Sequence, residues 1–159
     1  MLIRNLTVAD IDVMLDINQS NTPALGDETI ETMHQLFQWS SIALGVDIDQ
    51  QLVGFCLLMP PLVPYPSANY RWFSDRYDDF IYLDRVGFDS AHQGQGYGAA
   101  LYAEIERLTD AAHFTLEVNL DPPNEGSIRF HQRQGFLEVG QQRTPSGKLV
   151  SLMAKRLAL

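Results

Sequence analysis

A single cysteine, Cys56, in 159 residues excludes an internal disulfide framework and any zinc site built from several thiolates. Basic side chains are scarce, 11 against 20 acidic ones, and the net charge is −9. No lysine or arginine cluster stands out, so binding to a nucleic-acid backbone is not expected. No apolar run approaches the ~20 residues that span a bilayer. The opening stretch "MLIRNLTVADIDVM" is broken by Arg4, Asp10 and Asp12, unlike a secretory leader. His34, His92 and His113 show no paired spacing, so they are expected to be surface or structural residues, and no metal is expected. Repeats and low-complexity tracts are also missing. These absences leave a cytoplasmic protein that uses neither nucleic acid nor membrane, and they favour a small or cationic partner.

What is present belongs to a folded domain: 45% hydrophobic and 19% charged residues, in a length that suits one domain over 1–159. "LIRNLT" predicts an edge strand. Thr7 with Asp10 is a helix start signal, and Ile11, Met14, Leu15 and Asn18 follow on one face. "QSNTPALGDE" reads as a loop, and "ETIETMHQLFQW" as a helix with Ile30, Met33, Leu36 and Phe37 aligned. A hairpin follows, with strands 41–47 and 52–59 and a turn near Asp49-Gln50. Cys56, in "LVGFCLLM", is expected to be an inert core residue. Four prolines between 60 and 66 end that strand, and the segment to 79 predicts a long irregular connection. "FIYLDRVGF", "GYGAALYAEIERLTDAA", "FTLEVNL" and "NEGSIRFHQRQ" then predict strand, helix, strand, helix. "FLEVGQQR" and "KLVSLMAKRL" close the chain as two strands. The sum is a mixed α/β domain on one sheet, with a parallel, right-handed unit at its centre.

Within that unit lies "HQGQGYGAAL", with Gly94, Gly96 and Gly98 in front of a helix. Such a turn offers unpaired backbone amides and the positive end of the helix dipole, a phosphate site that needs no lysine. The nucleotide-triphosphatase loop requires a lysine beside its last glycine, and none is near. A dinucleotide fingerprint fits the spacing Gly94, Gly96, Ala99, with Glu117 at ribose distance. Against it, "DSAHQ" separates the strand from the first glycine, and too little chain remains for a doubly wound sheet. A turn that merely packs helix on strand is the plainer alternative.

The third phosphate reading is coenzyme A. Gln93-Gly94-Gln95-Gly96-Tyr97-Gly98 resembles the loop Gln/Arg-x-x-Gly-x-Gly/Ala of the GNAT superfamily of N-acetyltransferases. Asn124, Ser127, His131, Gly135 and Phe136 resemble the same family's later motif at matching spacing. Two motifs in order, separated by one helix and one strand, are far more specific than either alone. The element order fits too, so the resemblance covers nearly the whole chain. "YPSANYRWF", "YLDRV" and "EVNLDPPN" resemble one bacterial branch of the superfamily, which sharpens the family without naming an acceptor.

The resemblance implies a GNAT-like fold: one mostly antiparallel sheet, flanked by helices, with a parallel central pair that splays to admit pantetheine. Val86, Gly87 and Phe88 would line the arm, with Gly87 easing its close approach. The amides of residues 93 to 98 would hold the pyrophosphate, and Ala99 would enter the helix. Asn124, with Ser127 beside it, would contact the arm or cap its own helix. The implied reaction is attack of a neutral amine on acetyl-CoA, which needs a base for the ammonium and an acid for the leaving thiolate. His131 stands where the family usually has tyrosine, as an acid or as a packed helix residue. Asp84 and Glu117 are the candidate bases, each equally able to be a paired strand carboxylate. Tyr82 alternates with Asp84, and Asn119 with Glu117, so both pairs share a strand face. Asn69, Tyr70 and Trp72, in an aromatic loop, are candidate contacts for a small-molecule or peptide amine, or a lid or dimer surface. A homodimer is the family-level expectation. A coenzyme A-binding sensor without turnover is the alternative function.

Overall fold

The computed structural model describes residues 1–157; the last two residues of the expected 1–159 domain lie outside the described residues. Among the described residues seven strands form one sheet in the order β1-β2-β3-β4-β5-β7-β6. They are β1 Leu2–Asn5, β2 Ile42–Ile48, β3 Gln51–Met59, β4 Phe80–Phe88, β5 His113–Asp121, β6 Leu137–Arg143 and β7 Leu149–Arg156. Among the described residues five α-helices accompany them: α1 Ile11–Ser20, α2 Ile30–Trp39, α3 Ala68–Ser74, α4 Tyr97–Leu108 and α5 Glu125–Arg133. β4 and β5 are parallel, pairing Phe80 with His113 and Tyr82 with Thr115. The pairs β1/β2, β2/β3, β5/β7 and β6/β7 are antiparallel. This mixed α/β sheet with a parallel central pair is the architecture expected from the sequence.

The chain forms two compact units. The first takes residues 1–59 and 83–109, the second residues 60–82 and 110 onward, so β4 passes from one to the other. In the first, Asp10 accepts a hydrogen bond from the Thr7 amide (2.8 Å), and α1 then buries Ile11, Met14, Ile17 and Asn18. Thr29 and Thr32 cap α2 reciprocally, and its buried residues are Met33 and Leu36. The hairpin turns at Asp49 and Gln50, both at positive φ (50° and 66°), the left-handed pair that suits a two-residue connection. Val53 and Phe55 to Met59 on β3 are all buried. Cys56 is fully buried, and desolvation pushes its thiol up to about 12, which makes it inert as expected.

The second unit corrects one expectation. The segment 60–79 is not wholly irregular, because α3 occupies Ala68–Ser74. Ser67 caps it by accepting from the Tyr70 amide (3.2 Å), and Tyr70 and Phe73 face the core. Four nearby prolines and a length of barely two turns leave too short a pattern for helical period to register. Around α3 the aromatic rings pack edge-on or tilted: Tyr70 lies 5.4 Å from Tyr82, and Phe73 5.9 Å from Tyr82.

Candidate active site

Gly94 (φ 70°) and Gly96 (φ 83°) hold left-handed backbone that a side chain resists, and no atom lies within 4 Å of where a Cβ would stand at either. Gly96 is the N-cap of α4 and brings no capping side chain. The first amides of α4 therefore have no side-chain cap, and open space lies beside the loop. Gly98 and Ala99 lie inside the first turn of α4, after Tyr97. The side chains of Gln93 and Gln95 turn back onto their own loop. Gln95 donates to the Ala91 carbonyl (2.8 Å), while Gln93 donates to the Phe88 carbonyl (3.1 Å) and to Asn21 Oδ1 (3.2 Å). Both glutamine side chains are thus engaged within the protein.

Asn21 was not legible as a site residue. From the end of α1 it donates to the Phe88 carbonyl (3.0 Å) and accepts from Gln93, fastening the end of β4 to the glycine loop. Val86 and Phe88 are half-buried, and the Phe88 ring covers Gly54, where a Cβ would meet it at 2.3 Å. Gly87 has a different reason from the expected one. A Cβ there would stand 3.0 Å from Leu25 Cδ1 and 3.5 Å from Ile17 Cγ2, so the missing side chain admits α1 and its following loop.

Asp84 does not stand as an available base. Its side chain is 3% exposed and accepts from Arg85 Nε at 2.7 Å. Arg85 also donates to Asn18 Oδ1 (2.8 Å), pairs with Glu28 (3.2 Å) and reaches the Gly26 carbonyl. One buried guanidinium therefore joins β4 to α1 and to the loop before α2.

In the second unit Glu117 is the centre of a hydrogen-bonded group. Its Oε1 accepts from the Tyr82 hydroxyl (2.6 Å) and from Asn69 Nδ2 (3.0 Å). Asn69 Oδ1 in turn accepts from Gln142 Nε2 (2.9 Å). Tyr82 and Asn69 are thus brought to one of the two carboxylates that the sequence offers as candidate bases. Tyr70 belongs to the core instead: it is 2% exposed, and its hydroxyl donates to the Pro60 carbonyl and accepts from the Val63 amide. Trp72 lies over Gly140, where a Cβ would stand 2.4 Å from its ring, and Arg76 stacks on that ring at 3.9 Å.

At the start of α5, Asn124 accepts from the Ser127 amide (3.3 Å) and is the N-cap, the plainer of its two expected roles. Asn119, Leu120, Pro123, Asn124, Ile128 and Arg129 line a cavity of about 370 Å³. His131 is 6% exposed, and its Nδ1 lies 2.7 Å from the Ser127 carbonyl. A carbonyl only accepts, so Nδ1 carries the proton in the neutral ring. The expected neutral N–H donor toward a thiolate is therefore turned inward, along its own helix.

Burial lowers the His131 pKa below its usual 6.5, against the opposing pull of the Ser127 carbonyl. The folded chain thus disfavours the cation. The ring's contribution to stability is whole above about pH 6.5 and is lost as pH falls toward the folded value. His131→Leu is expected to flatten the stability profile between about pH 7 and pH 5.5, measured by urea unfolding. Parallel slopes in the two proteins would refute this.

Comparison with known proteins gives a consistent picture. The family model described as acetyltransferase (GNAT) family matches residues 11–136. No curated protein matches the sequence. Among solved structures, the ribosomal-protein-alanine N-acetyltransferase of Brucella melitensis is 27% identical, with 99% of this chain and 100% of that one covered and a TM-score of 0.75. The ribosomal-protein-S18-alanine N-acetyltransferase of Escherichia coli shares the fold at 20% identity, with coverages of 99% and 94% and a TM-score of 0.77. YncA of Salmonella typhimurium, solved with acetyl-CoA, shares it at 18% identity, with coverages of 100% and 95% and a TM-score of 0.71.

Proposed function

Because the chain belongs to the acetyltransferase (GNAT) family, we propose that it acetylates a primary amine, with the glycine loop holding the cofactor's diphosphate and Glu117 acting as base. Acetyl-CoA supplies the activated acetyl thioester. The observation that carries this reading is the loop itself: left-handed backbone at Gly94 and Gly96, no side-chain cap on α4, and open space where side chains would stand. In a chain of net charge −9, backbone amides and a helix dipole are the groups able to receive a polyanion. Val86 and Phe88 would offer backbone to the pantetheine arm, and the cavity beside Asn119 and Asn124 would admit apolar matter.

Glu117 is preferred over Asp84 because Arg85 already engages the latter in a buried pair. Donors from Tyr82 and Asn69 meet Glu117 as a carboxylate, an acceptor-only group ready to take an ammonium proton. His131, with its proton directed to Ser127, is assigned a packing role, and the leaving thiol takes its proton from solvent. The acceptor we favour is a peptide N-terminus. The two ribosomal-protein-alanine N-acetyltransferase neighbours support that class, as does an acidic chain facing a cationic amine.

Thiol release from acetyl-CoA in the presence of an alanine-initiated peptide tests the reading, with spermine as competitor. Turnover with the peptide, unaffected by spermine, is expected. Calorimetric binding of acetyl-CoA without turnover on any amine would favour the sensor reading, to which the inward proton of His131 lends weight. Gly96→Val adds a loop-specific check. A β-branched residue at φ 83° costs about 1–2 kcal/mol, so the free loop refolds and cofactor affinity falls about tenfold. Unchanged affinity would remove the loop from the site.

A further inference from the structure

We propose that Gln142 is a positioning residue which, through Asn69, orients Glu117 and holds it ionised; the proposal rests on the reading of Glu117 as base. Gln142 lies on β6, paired with Val150 of β7, which pairs in turn with Asn119 of β5. One strand, β7, thus separates it from β5, and a bridging group spans that distance to Glu117. Asn69 is that bridge, donating to Glu117 at 3.0 Å and accepting from Gln142 at 2.9 Å.

The direction of the chain follows from its end. A carboxylate has no proton to give, so Asn69 must aim its NH₂ at Glu117. Its oxygen then faces Gln142, which must aim its own NH₂ back. Each amide has one productive orientation, and Glu117 imposes both. Gly140 makes the bridge reachable: its lack of a Cβ seats Trp72 against β6, and Asn69 lies one turn before Trp72 on α3. Gly140 pairs with Leu152, the partner of Glu117, so the ring is seated in the same row as the carboxylate.

Several elements among the described residues contribute groups to this face. β5 contributes Thr115 and Asn119 beside Glu117, β7 contributes Leu152, and β6 contributes Gly140 and Gln142. β4 contributes the titratable Tyr82, and α3 contributes Asn69 and Trp72 with the cation of Arg76 stacked on it. Removing the Gln142 donor frees Asn69 to rotate, which weakens its bond to the ionised form and raises the pH at which Glu117 protonates. Gln142→Glu places an acceptor against an acceptor and adds a negative charge, so its effect has the same sign and is larger.

The experiment is ¹³C NMR of full-length protein labelled at glutamate side-chain carboxyls, titrated for wild type, Gln142→Met and Gln142→Glu. The Glu117 midpoint is expected to rise by about half a pH unit in Gln142→Met and by about one in Gln142→Glu. Identical midpoints would overturn the proposal. Gln142→Met adds no charge and decides the matter if Gln142→Glu does not fold. The acidic limb of kcat/KM is read alongside. A limb that follows the NMR midpoint upward supports Glu117 as the base. A moved midpoint with a fixed limb removes Glu117 from the chemistry and leaves the positioning chain in place.

Discussion

Glu117→Gln is expected to lower kcat/KM by about 10²- to 10³-fold while leaving acetyl-CoA affinity within about twofold, the signature of a lost proton acceptor. The substitution keeps shape and removes basicity. Tyr82 and Asn69, which now donate to the carboxylate at 2.6 and 3.0 Å, would meet a neutral amide, and Tyr82 can turn its hydroxyl to suit. Binding should survive, because the proposed diphosphate grip comes from backbone at Gly94 to Gly98. Steady-state rates over a range of pH, paired with calorimetry, separate the two effects. A loss under about tenfold would assign proton removal to another group or to solvent. A parallel loss of cofactor affinity would mean that Glu117 supports the binding site, not the chemistry.

The largest effect on stability is expected at Arg85. Arg85→Met removes a partner of a carboxylate that is 3% exposed, takes the guanidinium from Asn18 Oδ1, and breaks the pair with Glu28. Breaking a buried pair from one side costs about 3–5 kcal/mol, because the remaining charge stays buried without its counter-ion. Asp84→Asn combined with Arg85→Met should recover part of that loss, since the charge is gone on both sides. Trp39 belongs to the first unit and Trp72 to the second, so single-tryptophan forms report the two separately under urea. The Trp39 transition should move to lower urea by the full amount. A shift of under about 1 kcal/mol would show that water already solvates the cluster.

Much of the architecture is legible in the sequence. The positive-φ pair at Asp49-Gln50, the Thr7–Asp10 start signal and the glycine loop depend on neighbours in sequence, and local chemistry dictates them. The parallel β4/β5 pair followed from a strand–helix–strand order that allows little else. α3 is not evident from the sequence because seven residues preceded by a proline cluster carry too little periodicity. The site was partly legible for the same reason. Strand alternation marked Glu117 and Asp84 as equals, and only tertiary contact told them apart. Arg85 engages one from the adjacent position, while donors 35 and 48 residues away engage the other. Gln142 is 73 residues from Asn69, and Asn21 is 72 from Gln93; no spacing rule covers such pairs. The inward proton of His131 depends on a rotamer, which sequence does not record.

The sealed position of Cys56 has a practical side. With its sulfur fully enclosed on β3 and its acidity suppressed to about 12, the polypeptide is expected to stay silent toward disulfide-exchange dyes at neutral pH. Colour in such an assay would then count released coenzyme alone, without a background from the catalyst.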